Sequence, residues 1–407
     1  MMTNRIFIAA ARRTAFGRFR GGLSEYSPQA LATAAAKAAL TGLAPEHVTH
    51  VVLGNVLGAG HGMNPARQVG LQSGLAESST AMTINMMCGS GLQAAVLAAQ
   101  VIRSGEAGAV LAGGAESMSR SAFLLPRPGR GQQPDLTLLR DSMLTDGLRD
   151  CQIDQHMGET AERLQREFQI SRAEQDAWAE RSQVLCARAT HAGRFSDELC
   201  DVAGVVADEH PRPELTRDDL SALAPVFDPA GTVTAGNSSG INDGAAMLVL
   251  ADEATVKANQ WPVLCEWVHG VSVGCDPQRM GLGPVHAVRR LLQVTGRRLE
   301  DVDCLELNEA FAVQTLACLR ELGLDSSISG APIETVATGP GGRRLALNPD
   351  GGAIALGHPL GASGARLLTH AAWRIRRGES GRVVVALCIG GGMGIAAMLQ
   401  SPTLQGR

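Results

Sequence analysis

The chain has 407 residues, of which 45% are hydrophobic and 19% are charged, so it can bury a large core and is not a small disulfide scaffold. A formal net charge of −4, with one Tyr and four Trp, argues against the basic surface and stacking aromatics of nucleic-acid-binding proteins. The 48 glycines predict many tight turns and close backbone contacts.

The cysteines and the hydropathy pattern bear on location. There are nine cysteines, and no two of them have the C-x-x-C spacing of zinc or redox motifs. The first residues lack the pattern of a secretory signal, and no apolar run reaches the roughly 18 residues of a membrane span. We therefore expect a cytoplasmic protein with reduced thiols, no bound metal and no membrane span.

Helix and strand patterns alternate along the first part of the chain. A helical pattern over residues 30–40 precedes a strand pattern at 50–55, and a helical pattern over 92–102 precedes a strand at 109–112. Such alternation predicts α/β units on a mainly parallel sheet.

The middle of the chain has a different composition. Residues from about 120 to 240 are richer in charge and proline, and they include a clear helix over 171–191. Ser171 is an N-cap candidate, and Glu174 three residues later completes a capping box. The segment is interpreted as a loop domain inserted into the first half, after which a strand pattern resumes at 245–250.

The last part of the chain repeats the first. At an offset of 273 residues, segment 88–91 aligns with 361–364 and segment 102–106 aligns with 375–379. At a different offset, residues 50–55 resemble 303–308. Two such halves predict a duplicated α/β fold with a pseudo-twofold relation between them, since the repeat is too long for a solenoid.

Cys88 is the first candidate for chemistry. An apolar stretch leads into the turn Cys88-Gly89-Ser90-Gly91, directly before a predicted helix. The free N–H groups and the dipole of a helix N-terminus favour a thiolate there, which is the geometry of a nucleophile turn. The alternative is a buried structural cysteine in a tight turn.

Three further positions join it. In the repeat His358 takes the place of Asn85, so a pseudo-dyad would bring it close to Cys88 as an activating base, unless it is a packed core histidine. Cys388 ends a predicted strand before a glycine-rich turn, as a base or as a small apolar strand end. Asn308 also follows a strand, where it could hold a water or a carbonyl oxygen.

Together these motifs resemble the thiolase family, and the resemblance runs from Arg13 to Gly394. The family patterns N-x-x-C-G-S-G, N-E-A-F-A, G-H-P-x-G-x-S-G and C-x-G-G-G-x-G stand at residues 85–91, 308–312, 357–364 and 388–394. The segments 156–158 and 231–240 are also similar to the family.

The resemblance implies duplicated α/β domains in a layered αβαβα arrangement with an inserted loop domain. Residues 1–119 and 241–265 would form the N-terminal domain, and residues 266–407 the C-terminal domain. Residues 120–240 would form the loop domain, on the coenzyme A (CoA) side and with oligomer contacts.

The resemblance also implies a role for each candidate. Cys88 would accept the acyl group from a thioester after activation by His358, and Cys388 would remove the α-proton of acetyl-CoA. His358 and a water held by Asn308 would stabilise the enolate oxygen. The backbone N–H groups of Cys88 and Gly390 would form a second oxyanion hole.

CoA thioesters are the expected substrates, with no covalently bound cofactor. The resemblance places six residues along the CoA and acyl channel: Ser239 on the pantetheine, His156 and Met157 beside it, Arg212 toward the adenine end, and Phe311 and Met280 at the acyl pocket. Met280 could equally be a core residue.

The motifs most resemble short-chain biosynthetic members, so we expect an acetyl-CoA C-acetyltransferase that makes acetoacetyl-CoA from two acetyl-CoA. The alternatives are a degradative 3-ketoacyl-CoA thiolase, a decarboxylating ketoacyl synthase, which lacks a counterpart of Cys388, and a catalytically silent CoA-binding protein. A homodimer or homotetramer is expected, with tetramer contacts in residues 119–131.

Two departures from the family pattern stand near the second half of the site. Asp350 occupies a position where many members have Asn, which puts a carboxylate near the active-site strand. An insertion of about 18 residues between Leu324 and Asn348 is expected to be a surface loop. Its Arg343-Arg344 pair could meet a phosphate or a partner.

Overall fold

A computed structural model describes residues 5–324, 336–338 and 344–402. Most of the predicted insertion, including Arg343, lies outside these residues.

The strands are β1 Ile6–Thr14, β2 Gly17–Arg18, β3 Val48–Gly54, β4 Thr80–Ile84, β5 Ala109–Ser117, β6 Phe123–Leu124, β7 Arg140–Asp141, β8 Arg149–Asp150, β9 Gln155–His156, β10 Leu199–Cys200, β11 Asn242–Asp252, β12 Cys265–Gly274, β13 Cys304–Leu307, β14 Val336–Thr338, β15 Arg344–Leu347, β16 Arg382–Ile389 and β17 Met393–Gln400. The helices are α1 Pro28–Leu40, α2 Pro65–Gln72, α3 Ser90–Arg103, α4 Met157–Phe168, α5 Arg172–His191, α6 Arg217–Ser221, α7 Glu253–Ala258, α8 Gly283–Thr295, α9 Ala312–Glu321, α10 Ala353–Leu356 and α11 Leu360–Arg376.

The order of strands in the main sheet repeats. The first half contributes β1-β11-β5-β3-β4, and the second half contributes β12-β17-β16-β13-β15, with β14 at its edge. The two series join where β1 pairs antiparallel with β12. Each strand of the first series thus has a counterpart in the second, which confirms the predicted duplication.

The sheet is mixed, so the prediction of a mainly parallel sheet is wrong. Strand β3 runs parallel to β4 and β5, and β13 runs parallel to β15 and β16. The pairs β1–β11, β1–β12, β11–β5, β12–β17 and β16–β17 are antiparallel. One cause is the tight turn between β16 and β17, where Gly391 and Gly392 have φ of +87° and +80° and reverse the chain. Fully buried strands are apolar throughout in either direction, so hydropathy does not distinguish them.

Three apolar clusters separate the layers. One lies between the first-half strands and α1 and α2, one surrounds α3 and α11, and one lies between the second-half strands and α8 and α9. Strand side chains alternate between clusters, as with Val384 in the outer cluster and Val383 and Val385 in the central one. This is the predicted αβαβα arrangement.

The central helices α3 and α11 cross closely because glycines occupy the crossing. A Cβ atom on Gly91 would lie 2.6 Å from the carbonyl oxygen of Gly361, and one on Gly364 would lie 2.5 Å from the amide nitrogen of Leu92. Their N-termini therefore meet near the middle of the molecule, and the residues that precede them lie side by side.

The segment predicted as an insertion lies largely outside the main sheet. It contains the short strand pairs β6–β7 and β8–β9 and the helices α4, α5 and α6. Among the described strands of this segment, only β10 joins the main sheet, where it pairs with β1. Helix α5 begins with the predicted capping box, in which the Ser171 N–H donates to Glu174 Oε2 at 2.7 Å. Within the described residues, no helix combines the length and the apolarity that a membrane span requires.

Candidate active site

A cavity of about 590 Å³ opens where α3 and α11 begin. All of the predicted site residues except Asn308 line it, drawn from both halves of the chain and from the segment between them: Cys88, His156, Met157, Arg212, Ser239, Met280, Phe311, His358, Cys388 and Gly390. The sequence motifs therefore converge on one space.

Cys88 precedes α3 by one turn residue, Gly89, as predicted. Its surroundings raise the pKa of the Cys88 thiol to about 11, because burial outweighs the opposing effect of the backbone N–H of Gly390, which is directed at the sulfur. Backbone N–H groups lower the pKa of Cys88, as expected at a helix end, but burial outweighs them. A protonated thiol needs a base within reach before it can attack.

His358 has the geometry of that base. Its Nδ1 lies 2.5 Å from Ser363 Oγ, and that hydroxyl donates its own hydrogen to the Pro359 carbonyl at 2.9 Å. Since the hydroxyl hydrogen is already used, Nδ1–H donates to the serine and Nε2 carries the free lone pair. Nε2 is buried and has no hydrogen-bond partner among the described residues. Burial, followed by the charge of Arg366, lowers the pKa of His358 to about 4, so the ring is neutral.

Ser363→Ala is expected to slow alkylation of Cys88 by iodoacetamide about ten-fold at pH 7, because the ring loses the contact that fixes its tautomer. The measurement is the first-order rate of inactivation. Ser104→Ala, which removes an exposed helix-end hydroxyl, is the control. Equal rates in the two variants would show that Ser363 does not orient His358.

Cys388 ends β16 and is fully buried. Burial, and then the proximity of the Cys88 sulfur, raise the pKa of Cys388 well above its ordinary value. The turn that follows places the Gly390 N–H beside Cys88. Two thiols whose pKa values are both raised therefore line the same cavity.

Asn308 does not itself line the cavity. It follows β13 and is fully buried, two residues before Ala310, which does line it. Its backbone N–H donates to the Ala386 carbonyl at 2.9 Å, whereas both polar atoms of its side chain have no hydrogen-bond partner among the described residues. A buried amide with a free donor and a free acceptor is suited to holding a water molecule.

His156 also has a local function that sequence reasoning missed. Its Nδ1 accepts the N–H of Gly158 at 3.1 Å, so the side chain caps α4. Its ring stacks on Phe227 with centroids 4.7 Å apart, and Phe227 meets Phe311 edge to face at 6.2 Å. The three rings form one wall of the cavity.

Several lining residues gave no signal in the sequence. The π-helical stretch Met143–Leu148 contributes apolar side chains, and other contributions come from loops without a motif. These residues are Arg18, Phe19, Met118, Met143, Leu144, Leu148, His210, Val226, Phe227 and Ile241.

Ser363 could have been found from the repeat. It aligns with Ser90, whose hydroxyl accepts the Met86 N–H at 2.8 Å and donates to the Met87 carbonyl at 2.7 Å. Each serine therefore fixes the turn in front of its own helix. In both turns the hydroxyl donates to a preceding carbonyl, but Ser90 accepts a backbone N–H whereas Ser363 contacts the His358 ring.

Asp350 does not line the cavity, contrary to what its place in the sequence suggests. Its Oδ2 lies 3.1 Å from His370 Nε2 and 2.6 Å from Arg374 Nη1, both on α11. His370 Nδ1 lies 3.1 Å from Glu198 Oε2, and Glu198 also accepts from Arg13 at 2.7 Å. The departure from the family pattern is therefore part of a buried ionic cluster.

Comparisons with known proteins agree with this geometry. Residues 6–254 match the family described as "Thiolase, N-terminal domain" and residues 261–401 match "Thiolase, C-terminal domain". The chain is 42% identical to an acetyl-CoA acetyltransferase of Allochromatium vinosum, over 98% of this chain and 100% of that protein. It is 43% identical to one of Pseudomonas aeruginosa, over 97% and 98%. The crystal structure of human mitochondrial 3-ketoacyl-CoA thiolase in complex with CoA superposes with a TM-score of 0.90 at 40% identity, over 99% of both chains.

Proposed function

This chain belongs to the thiolase family, and from that membership and its cavity we propose that it is an acetyl-CoA C-acetyltransferase. It would condense two acetyl-CoA reversibly into acetoacetyl-CoA and CoA through an acetyl-Cys88 intermediate. The observation that carries the proposal is the neutral base His358, whose Nε2 has no hydrogen-bond partner among the described residues, in one cavity with the half-buried thiol of Cys88 and the buried thiol of Cys388.

In the first half-reaction, His358 Nε2 takes the proton of Cys88 and the thiolate attacks the thioester carbonyl. The backbone N–H groups of Cys88 and Gly390 face the sulfur and would donate to the oxyanion of the tetrahedral intermediate. The carbon–sulfur bond to CoA then breaks. Cys388 gives its proton to the departing CoA thiolate, which leaves acetyl-Cys88, a Cys388 thiolate and a protonated His358.

In the second half-reaction, the Cys388 thiolate removes an α-proton from a second acetyl-CoA. Protonated His358 and a water on Asn308 would stabilise the enolate oxygen. The α-carbon attacks the acetyl carbonyl, the new carbon–carbon bond forms and the Cys88 thiolate leaves with acetoacetyl-CoA as product. His358 returns its proton to Cys88, while Cys388 keeps the α-proton, so both thiols are restored.

The walls around Cys88 favour transfer over hydrolysis. Met118, Met143, Leu148 and Leu360 surround the sulfur side of the cavity with apolar atoms. A water-poor site protects the acyl-enzyme and strengthens the hydrogen bonds to each oxyanion. We retain Phe311 and Met280 as proposed residues of the acyl pocket, since both line the cavity.

The substrate range follows from thiolysis of 3-ketoacyl-CoA thioesters of increasing length. We expect kcat/KM to be highest for the four-carbon substrate and to fall about 10³-fold by eight carbons, because each of the four added methylenes costs about 1 kcal/mol where it does not fit the apolar pocket. Cys88→Ala provides the blank. A rate that holds or rises up to sixteen carbons would replace the proposal with a degradative 3-ketoacyl-CoA thiolase, and no activity in folded protein would exclude both.

The organisation of the chain is proposed on the same footing. We retain residues 1–119 with 241–265, 120–240 and 266–407 as the three domains, CoA thioesters as substrates held by Ser239, His156, Met157 and Arg212, a homodimer or homotetramer and a cytoplasmic location. Exposed apolar residues at 120–140, such as Phe123 with 65% of its surface accessible, support subunit contacts in that region.

A further inference from the structure

The cavity has a buried end and an exposed end of different chemistry. His358 and Cys388 at the inner end are at most 5% accessible. Toward solvent the lining includes the exposed side chains of Phe19, Leu144 and Val226, which are between 37% and 57% accessible. The same mouth includes two exposed arginines, Arg18 and Arg212.

The mouth is positively charged with no compensating acid in its wall. Among the described residues that line the cavity there is no Asp, Glu or Lys. His210 lies in the same wall, and burial, followed by the charge of Arg212, lowers its pKa to about 4, so it is neutral. Within the described lining of the cavity, the charged groups are therefore the two guanidinium groups.

Both guanidinium groups are available to a ligand. Neither the Arg18 nor the Arg212 side chain forms an ion pair or hydrogen bond with another residue in the described part of the chain. The carboxylate of Glu209, outside the cavity lining, accepts the backbone N–H groups of Arg18 at 3.2 Å and of Gly22 at 3.1 Å, and it forms no ion pair with the Arg18 guanidinium group.

The backbone of Arg18 is fixed relative to the reacting groups. Arg18 is in β2 and pairs with Asn242 of β11. The side chain of the same asparagine accepts the backbone N–H of His358 at 3.0 Å and donates to the Gly17 carbonyl at 2.9 Å. One asparagine thus ties the strand at the mouth to the base at the inner end.

We propose that Arg18 is a second phosphate-binding residue, acting with Arg212 on the phosphates of the nucleotide part of CoA. The inference rests on the proposed function, in which CoA thioesters enter this cavity. Guanidinium groups suit phosphate oxygens, and the apolar side chains of Phe19, Leu144 and Val226 offer a surface for the adenine ring. Because pantetheine lacks these phosphates, the Arg18 side chain would favour the binding of CoA over that of pantetheine.

The phosphates are remote from the reacting carbons, so Arg18 contributes equally to ground state and transition state. Its loss therefore acts on KM and not on kcat. With saturating acetoacetyl-CoA, Arg18→Gln is expected to raise the KM for CoA about ten-fold at low ionic strength. The kcat is expected to stay within about two-fold, and the KM for pantetheine as the acceptor thiol to stay unchanged.

Arg20→Gln is the matched control. Arg20 lies two residues along the same segment, its guanidinium sits 5.1 Å from the Phe19 ring centroid, and it does not line the cavity. An unchanged KM for CoA in Arg18→Gln would overturn the inference. An equal change with pantetheine, or an equal change in Arg20→Gln, would also overturn it.

Calorimetric titration of CoA into the unmodified and Arg18→Gln proteins separates this inference from the proposed function. Weaker binding by the variant, about ten-fold, supports the phosphate contact even without turnover. Equal binding by both proteins overturns the role of Arg18 alone. Failure of the unmodified protein to bind CoA contradicts the proposed function, and the inference falls with it.

Discussion

Cys88→Ala is expected to lower the rate of acetoacetyl-CoA thiolysis by roughly 10⁴-fold or more, since without the sulfur no acyl-enzyme can form. Cys388→Ala is expected to lose condensation as completely, because no other thiol adjoins Cys88 in the described lining of the cavity. The two variants differ in the first half-reaction. Cys388→Ala retains Cys88 and should still become acetylated, slowly, by acetyl-CoA.

Mass spectrometry of the intact protein after incubation with acetyl-CoA measures this difference. One acetyl group should appear on Cys388→Ala and none on Cys88→Ala. Cys151→Ala removes an exposed cysteine outside the cavity lining and should behave as the unmodified enzyme does. Acetylation of Cys88→Ala, or of Cys151 in any protein, would assign the nucleophile to another residue.

His370→Leu is expected to reduce the free energy of unfolding by about 3 kcal/mol at pH 7. The side chain is fully buried, and each ring nitrogen lies 3.1 Å from a carboxylate oxygen, of Asp350 on one side and Glu198 on the other. Both nitrogens must carry hydrogen to satisfy two carboxylates. An apolar replacement leaves Asp350 with Arg374 and the more distant Arg194 as counter-charges, and Glu198 with Arg13.

The effect has a defined pH dependence. The carboxylates of Glu198 and Asp350 raise the pKa of His370 to about 9 against the opposing effect of burial. A raised pKa of this kind stabilises the fold fully below about pH 6.5, and the contribution is lost as pH rises through 9. The pKa values of Asp350 and Glu198 are lowered to about 2, so both stay ionised over this range. Arg13 and Arg374 also keep their charge.

Urea unfolding between pH 6 and 10 tests both statements. The difference between the unmodified protein and His370→Leu should shrink as pH rises. His286→Leu, an exposed replacement on α8, should differ little from the unmodified protein. A constant difference from pH 6 to pH 10 would mean that His370 packs as a neutral ring.

The inner end of the cavity could be predicted from the sequence because its residues stand near equivalent positions of the internal repeat. Equivalent turns precede α3 and α11, so the positions of Cys88 and His358 follow from symmetry once the two helices pack. Their ionisation does not follow from local sequence, because the pKa of Cys88 depends on burial by distant segments. The capping of α5 at Ser171, in contrast, was predictable from local sequence, since Ser171 and its partner Glu174 lie within one helical turn.

The outer end could not be predicted from motifs. Arg18, Phe19 and Phe227 belong to loops and short strands, and any exposed arginine or phenylalanine has the same local signature. The partner of Asp350 was equally hidden, because His370 lies 20 residues away and becomes its neighbour only through the fold. The prediction of a mainly parallel sheet failed for a related reason, since an apolar run has the same composition in a parallel and in an antiparallel buried strand.

The crossing of α3 and α11 has a consequence for how substrate range and reactivity can change independently. Cys88 comes from the first half of the chain, and His358, Cys388 and Asn308 come from the second, so neither half holds a complete reacting centre. A side chain at Gly91 or Gly364 would wedge the halves apart and separate the thiol from its base. The outer wall, in contrast, comes largely from the segment between the halves. Substitutions in the outer wall can therefore change which substrates enter the cavity, whereas the interface of α3 and α11, which holds the reacting groups together, tolerates few substitutions.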